Sequence, residues 1–194
     1  MPRLILASTS RYRRELMSRL GLPFEVQSPA VPEDALAGET PAAMAARLAL
    51  AKARSIVTPG ALVIGSDQVA SLDGQLLRKP GVPDVAVAQL LACQGRTVLF
   101  HTAAAVVATD SGATAEHVDV TEVRFRRLDV AALTEYVRRE QPLDCAGSFK
   151  SEGLGVALFE QISSRDPTAL IGLPLIWLAD ALRGLGADPL AARS

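Results

Sequence analysis

Near the start of the chain a short apolar run, Leu4-Ile5-Leu6-Ala7, breaks into Ser8-Thr9-Ser10 and then into Arg11-Tyr12-Arg13-Arg14. This order predicts a buried strand, a tight loop and a helix whose first turn is capped by Ser10. A helix start leaves its first backbone N–H groups unpartnered and carries the positive end of the helix dipole. Two or three hydroxyls and Arg13 converge on the same volume, which therefore suits a phosphate group. A strand that delivers its chain to such a loop and helix belongs in a layered α/β frame.

The remaining pattern extends that frame. Residues 24–27 read as a second short strand, and Thr40-Pro41 as the cap and first position of an alanine-rich helix to about residue 57. Residues 61–66 are apolar and β-branched, which predicts a central strand ending at Asp67-Gln68. Asp73-Gly74 marks a hairpin between 69–72 and 75–77, and residues 85–93 read as a helix. Residues 97–109 and 113–127 read as two long antiparallel strands. A helix over 130–139, a Gly-rich stretch over 145–155, a strand over 156–159 and a helix over 173–185 complete the pattern. Strands and helices alternate early and a long hairpin follows, so the expected fold is α/β with a mixed sheet flanked by helices. One domain spanning 1–194 is expected, since no linker or repeat interrupts the chain.

Composition excludes several classes. The chain of 194 residues is 49% hydrophobic with a net charge of -1, which disfavours a protein whose main task is gripping duplex nucleic acid. Its apolar stretches are too short to predict a membrane span or a secretory signal. Two isolated cysteines, Cys93 and Cys145, point to packing residues in a reducing, cytoplasmic setting.

Asp67 is the foremost candidate for chemistry, because ligands of α/β sheets gather at the carboxyl ends of strands. A carboxylate there can hold a divalent metal or activate water. Glu33, in a Pro-rich acidic loop, reads alone as solvated; beside Asp67 it would complete a metal site for a phosphate substrate. Lys52 and Lys79 read alone as surface lysines. Tyr12 packs in the first helical turn or offers a platform for a flat base.

Taken together, Leu4-Ile5-Leu6-Ala7-Ser8-Thr9-Ser10-x-x-Arg13, Lys52-Ala53, Ile64-Gly65-Ser66-Asp67-Gln68, Lys79-Pro80, Ala146-Gly147-Ser148-Phe149-Lys150-Ser151-Glu152-Gly153 and Gly172-Leu173-Pro174 resemble the Maf family of nucleotide pyrophosphatases. The resemblance runs through essentially the whole chain. It implies a fold related to inosine triphosphatases, with a cleft between two lobes and frequent dimers. It also implies hydrolysis of a nucleoside triphosphate to the monophosphate and diphosphate, assisted by Mg²⁺ or Mn²⁺. By position, Asp67 matches the proton acceptor, Glu33 and Asp67 the metal side, and Ser8, Ser10, Arg13, Lys52 and Lys79 the phosphate side.

Members acting on thymidine and uridine triphosphates typically carry Arg, Thr and Gln where this chain has Tyr12, Gln68 and Glu152. The resemblance therefore points to the branch that prefers 7-methyl-GTP. Physical chemistry agrees: a methylated guanine is cationic, Tyr12 offers it a π face, and Glu152 an acceptor for its N–H donors. Gln68 offers both a donor and an acceptor. The acidic loop of that branch usually reads Val-Asp-Glu and here reads Val31-Pro32-Glu33. Two alternatives remain open: the thymidine/uridine branch, and a non-catalytic nucleotide-binding regulator.

Overall fold

The structure is a computed structural model that describes residues 2–191. Its frame is one seven-stranded sheet in the order β2-β1-β3-β5-β6-β7, with β4 on the free side of β3. β1 (Arg3–Ala7) lies parallel to β2 (Phe24–Gln27) and to β3 (Ala61–Leu72). β3 is antiparallel to β4 (Gln75–Leu77) and to β5 (Thr97–Ala108). β6 (Thr114–Phe125) and β7 (Phe159–Ser163) extend the antiparallel half. The mixed α/β fold with two lobes is as the sequence predicts.

Three apolar clusters hold the layers together. On one face of the sheet, α1 (Arg11–Ser18) and α5 (Leu175–Gly184) bury Leu16, Met17, Leu178 and Leu182 against Leu4, Leu6 and Ile64. On the same face but at the other end, α3 (Pro83–Cys93) and α4 (Val130–Glu140) pack with Phe100, Phe125, Phe149 and Phe159, whose rings meet edge to face. These are the two lobes. α2 (Pro41–Arg54) alone covers the opposite face through Ala45, Ala49 and Ala53.

The small residues of α2 have a geometric purpose. Gly65 of β3 lies so close to the helix that a Cβ there would stand 2.1 Å from the Ala49 carbonyl oxygen and 2.5 Å from the Ala53 nitrogen. Helix and strand thus touch backbone to backbone. Lys52, between those two alanines, is pressed onto the sheet and buried.

Three sequence expectations need correction. β3 does not end at residue 66 but runs on through Asp67 and Gln68 to Leu72, because β5 pairs with it without a break from Leu62 to Ser71. Asp67 is therefore a mid-strand residue, not a strand-end one. Residues 156–158 are not a strand: Leu154–Leu158 forms a 3₁₀ turn and the strand is Phe159–Ser163. The last helix begins only at Leu175, after a separate 3₁₀ turn at Ala169–Ile171.

Replacing Gly65 with alanine should drive α2 off the sheet. The expected cost is about 1–3 kcal/mol, which for a chain of this size lowers Tm by roughly 3–10 °C. Thermal unfolding checks this, and an unchanged Tm would show that the contact is not tight.

Candidate active site

A cleft of about 780 Å³ opens between the two lobes. One wall is the loop Ser8, Thr9, Ser10 with Arg11, Tyr12 and Arg13 of α1; the floor is Lys52 and β3 from Asp67 to Ala70. The far wall carries Leu76, Leu77, Arg78, Lys79, Asp144 and Ala146, and Glu33 reaches in from its loop. The structure thus gathers Ser8, Ser10, Tyr12, Arg13, Glu33, Lys52, Asp67, Gln68 and Lys79 around one space.

Lys52 is the centre of the charge arrangement. Its Nζ lies 2.6 Å from Asp67 Oδ1 and 2.5 Å from Glu33 Oε1. The Lys52 and Asp67 side chains are 7% and 12% exposed, whereas Glu33 is 57% exposed at the mouth. A buried carboxylate in mid-strand would be costly alone; an ammonium in hydrogen-bond contact offsets that cost. The hydrogen bond from Lys52 holds the Glu33 carboxyl below the usual carboxylate range, with the charges of Lys52, Lys79 and Arg13 adding to it. The surface reading of Lys52 is thus overturned; Lys79, by contrast, is exposed at the rim.

The hydroxyl loop is organised by its own backbone. Ser8 Oγ accepts from the Ser10 N–H at 3.1 Å, and Ser10 Oγ caps α1 by accepting from the Arg13 N–H at 3.4 Å. Both hydroxyls act as acceptors there, so each keeps its own hydrogen for an anion. Arg13 donates from Nε to the Gly172 carbonyl at 2.9 Å, and the buried Ser66 hydroxyl reaches that same oxygen at 2.8 Å. Gly172 has φ of 127°, in the region that favours glycine, which aims its carbonyl at Arg13. Burial pulls the Arg13 pKa down, and the charges of Asp67 and Glu33 oppose that.

Ser66 and the Gly172 carbonyl escape a reading by residue type. A serine in an apolar strand signals nothing, and a backbone oxygen has no side chain to notice. Arg11 is a further addition. Its guanidinium sits over the Tyr12 ring, 4.6 Å from the centroid, and donates to the Tyr12 hydroxyl at 2.7 Å.

Two of the base-reading candidates are placed differently from the others. The Gln68 side chain turns to the face opposite α2, where its amide donates to Thr102 Oγ1 at 2.9 Å and to the Ala169 and Leu170 carbonyls at 3.1 and 2.9 Å. It ties down the turn that precedes Gly172. Glu152 does not line the cleft: it borders a separate depression of about 330 Å³ with Ser164, Pro167 and Leu170.

Among the described residues no group of three or more His, Cys, Asp or Glu side chains is disposed to hold a metal. Glu33 and Asp67 nevertheless converge on one ammonium, and the second oxygen of each carboxylate is not part of that contact. One or two carboxylates completed by substrate phosphates is an ordinary donor set for Mg²⁺, so the residues present fit such an ion. No helix of the described residues is long and apolar enough to cross a membrane.

An α/β cleft with a hydroxyl-capped helix start on one wall, and a lysine that ties Asp67 on its floor to Glu33 at its mouth, is the kind of site that suits a phosphorylated ligand. The model of the Maf-like protein family matches residues 3–185, and the chain belongs to that family. It is 56% identical over 188 residues to a "7-methyl-GTP pyrophosphatase" of Xanthomonas oryzae pv. oryzae, covering 96% of this chain and 98% of the relative. A relative of the same name from a Polaromonas species is 54% identical over 192 residues, covering 98% of this chain and 88% of its own length. Among solved structures, the Staphylococcus aureus Ham1 protein superposes with a TM-score of 0.54 at 16% identity, over 94% of this chain and 99% of its own. A HAM1 protein from Coxiella burnetii gives 0.52 at 15%, over 95% and 100%. These two share the fold.

Replacing Lys52 with methionine should leave the carboxylates uncompensated, at a cost of about 3–5 kcal/mol at neutral pH. The sign follows from the Glu33 shift. A depressed folded-state pKa stabilises above the ordinary carboxylate range, and that contribution is lost as pH falls through the folded value. The Glu33 titration midpoint, read by carboxyl NMR, should therefore rise in the variant, and its stability deficit should narrow on acidification. An unmoved Glu33 midpoint would contradict the contact.

Proposed function

We propose that this chain is a nucleoside triphosphate pyrophosphatase that hydrolyses 7-methyl-GTP to 7-methyl-GMP and diphosphate. The observation that carries the reading is the Lys52 ammonium bound to both Asp67 and Glu33 directly beside the hydroxyl loop and Arg13. Relatives more than half identical along nearly the whole chain bear that activity in their names.

In this reading the phosphates lie against the start of α1. The Ser8 and Ser10 hydroxyls and the free guanidinium nitrogens of Arg13 donate to the phosphate oxygens, and Lys79 closes on them from the rim. These donors are held in place before substrate arrives, so they stabilise charge that builds on the bridging oxygen with little reorganisation. Asp67 takes the proton of the attacking water, and Lys52, in hydrogen-bond contact with its Oδ1, keeps that carboxylate aimed. Glu33 and Asp67 would hold Mg²⁺ or Mn²⁺ together with the phosphates, and a bound ion supplies further positive charge at the reacting group.

Tyr12 supplies the platform for the base. One face of that ring is covered by the Arg11 guanidinium, so a cationic base would stack on the other. The position of Glu152 beside a separate depression gives no support to direct base reading by its carboxylate, a role that rests on family resemblance alone. The dimer suggested by that resemblance is likewise a proposal.

Diphosphate release should be measured for 7-methyl-GTP, GTP, dTTP and UTP with Mg²⁺ or Mn²⁺, and again with chelator. The expected result is highest kcat/KM for 7-methyl-GTP and loss of activity on chelation. Preference for dTTP or UTP would move the chain to the other branch, and binding of nucleotide without any release would replace the enzyme with a sensor.

A further inference from the structure

β3 is flanked by β5 along nearly its whole length, but on its other side by two strands that do not meet. β1 pairs with it from Ala61 to Gly65, and β4 from Ala70 to Leu72. Residues 66–69 have no strand beside them on that edge. The cleft lies at this gap, and Asp67, Gln68 and Val69 line it.

The direction of each peptide group in the gap follows from the alternation of a strand. Ala61 turns both of its groups toward the β5 side: its N–H donates to Thr109 Oγ1 at 3.0 Å and its C=O accepts from the Thr109 N–H at 2.9 Å. The register against β5 is continuous from Leu62 to Ser71, so odd-numbered residues face β5 and even-numbered ones face β1 and β4. The two-residue Asp73-Gly74 turn gives the same answer independently, because Leu72 and Gln75 flank it as a facing pair. In the gap, Ser66 and Gln68 are the residues that face the vacated edge; Ser66 adjoins the last β1 pair at Gly65, and Gln68, in mid-gap, turns both its backbone N–H and its C=O toward the opening. Its side chain is committed elsewhere, to Thr102 and to the 169–170 carbonyls.

An unpaired strand edge is a donor and an acceptor in fixed relation, and an added strand normally takes both. A nucleobase with a ring –NH–C=O edge presents the complement, as guanine does with N1–H and O6. Resting on the functional reading above, we propose that the backbone N–H and C=O of Gln68, rather than its side chain, read the Watson–Crick edge of the base. The side chain is a positioning group for the turn that carries Gly172, and so for Arg13.

Two measurements on the full-length protein test this. In the first, the Gln68 backbone amide resonance of ¹⁵N-labelled wild type is followed with 7-methyl-GMP and, separately, with diphosphate. A downfield shift with the nucleotide but not with diphosphate is expected. In the second, kcat/KM is compared for 7-methyl-GTP and 1,7-dimethyl-GTP, which lacks the N1–H. A loss of about tenfold or more for the dimethyl substrate is expected, in wild type and in Gln68→Ala alike. A Gln68 amide that stays still at saturating 7-methyl-GMP overturns the proposal, as does discrimination that collapses in Gln68→Ala. Absence of diphosphate release from 7-methyl-GTP by wild type would sink the functional reading and this proposal together. Normal release with a silent Gln68 amide sinks only the proposal.

Discussion

The contact of Lys52 with Asp67 is the interaction on which the site depends. A carboxylate in the middle of a buried strand is stable only with a partner, and the partner comes from a helix on the other side of a backbone-to-backbone contact. Gly65 permits that approach, the alanines of α2 make it, and Lys52 falls on the buried stripe because it lies seven residues, about two turns, after Ala45 and in register with Leu48 and Ala49. Glu33 completes the arrangement from a loop, which places the exposed member of the set at the mouth and the buried members on the floor.

The second constraint is topological. β1 is short and β3 is long, so the sheet edge is interrupted where β1 stops, and the cleft is that interruption. The hydroxyl loop and Arg13 hang on the lobe of β1 and α1, whereas Lys79 and Asp144 come from the lobe of α3 and α4. Between the lobes runs a buried polar belt in which Ser66, Gln68 and Thr102 of β3 and β5 grip the carbonyls of residues 169–172. That belt positions the Gly172 oxygen against Arg13, so the binding wall is built across the chain from residues more than a hundred positions apart.

Much of this was legible in the sequence, because strong local signals need no tertiary partner. The β1 loop with its Ser10 cap, the Thr40-Pro41 helix start and the Asp73-Gly74 turn fall where their residue types predict. Asp67 was legible as a candidate for chemistry, and it does line the cleft, but it was misplaced as a strand end, since a carboxylate in an apolar run looks like a terminator until its lysine is seen. Lys52 looked like a surface residue because burial depends on how closely its helix approaches Gly65, a contact no local window contains. The available signal was its register with Ala45, Leu48, Ala49 and Ala53. The direction of the Gln68 side chain and the separation of Glu152 from the cleft were beyond reach for the same reason: each is set by strand pairing and by the 3₁₀ turn at Ala169–Ile171.

In the proposed mechanism Asp67 takes a proton from water, Lys52 aims its carboxylate and the α1 wall holds the nucleotide. The most direct measurement is single-turnover hydrolysis of 7-methyl-GTP by Asp67→Asn, together with nucleotide affinity by calorimetry. Removal of a general base predicts a fall in turnover of about 10²–10⁴-fold, with nucleotide binding retained. Turnover near that of wild type in the correctly folded variant would remove Asp67 from the chemistry and contradict the account.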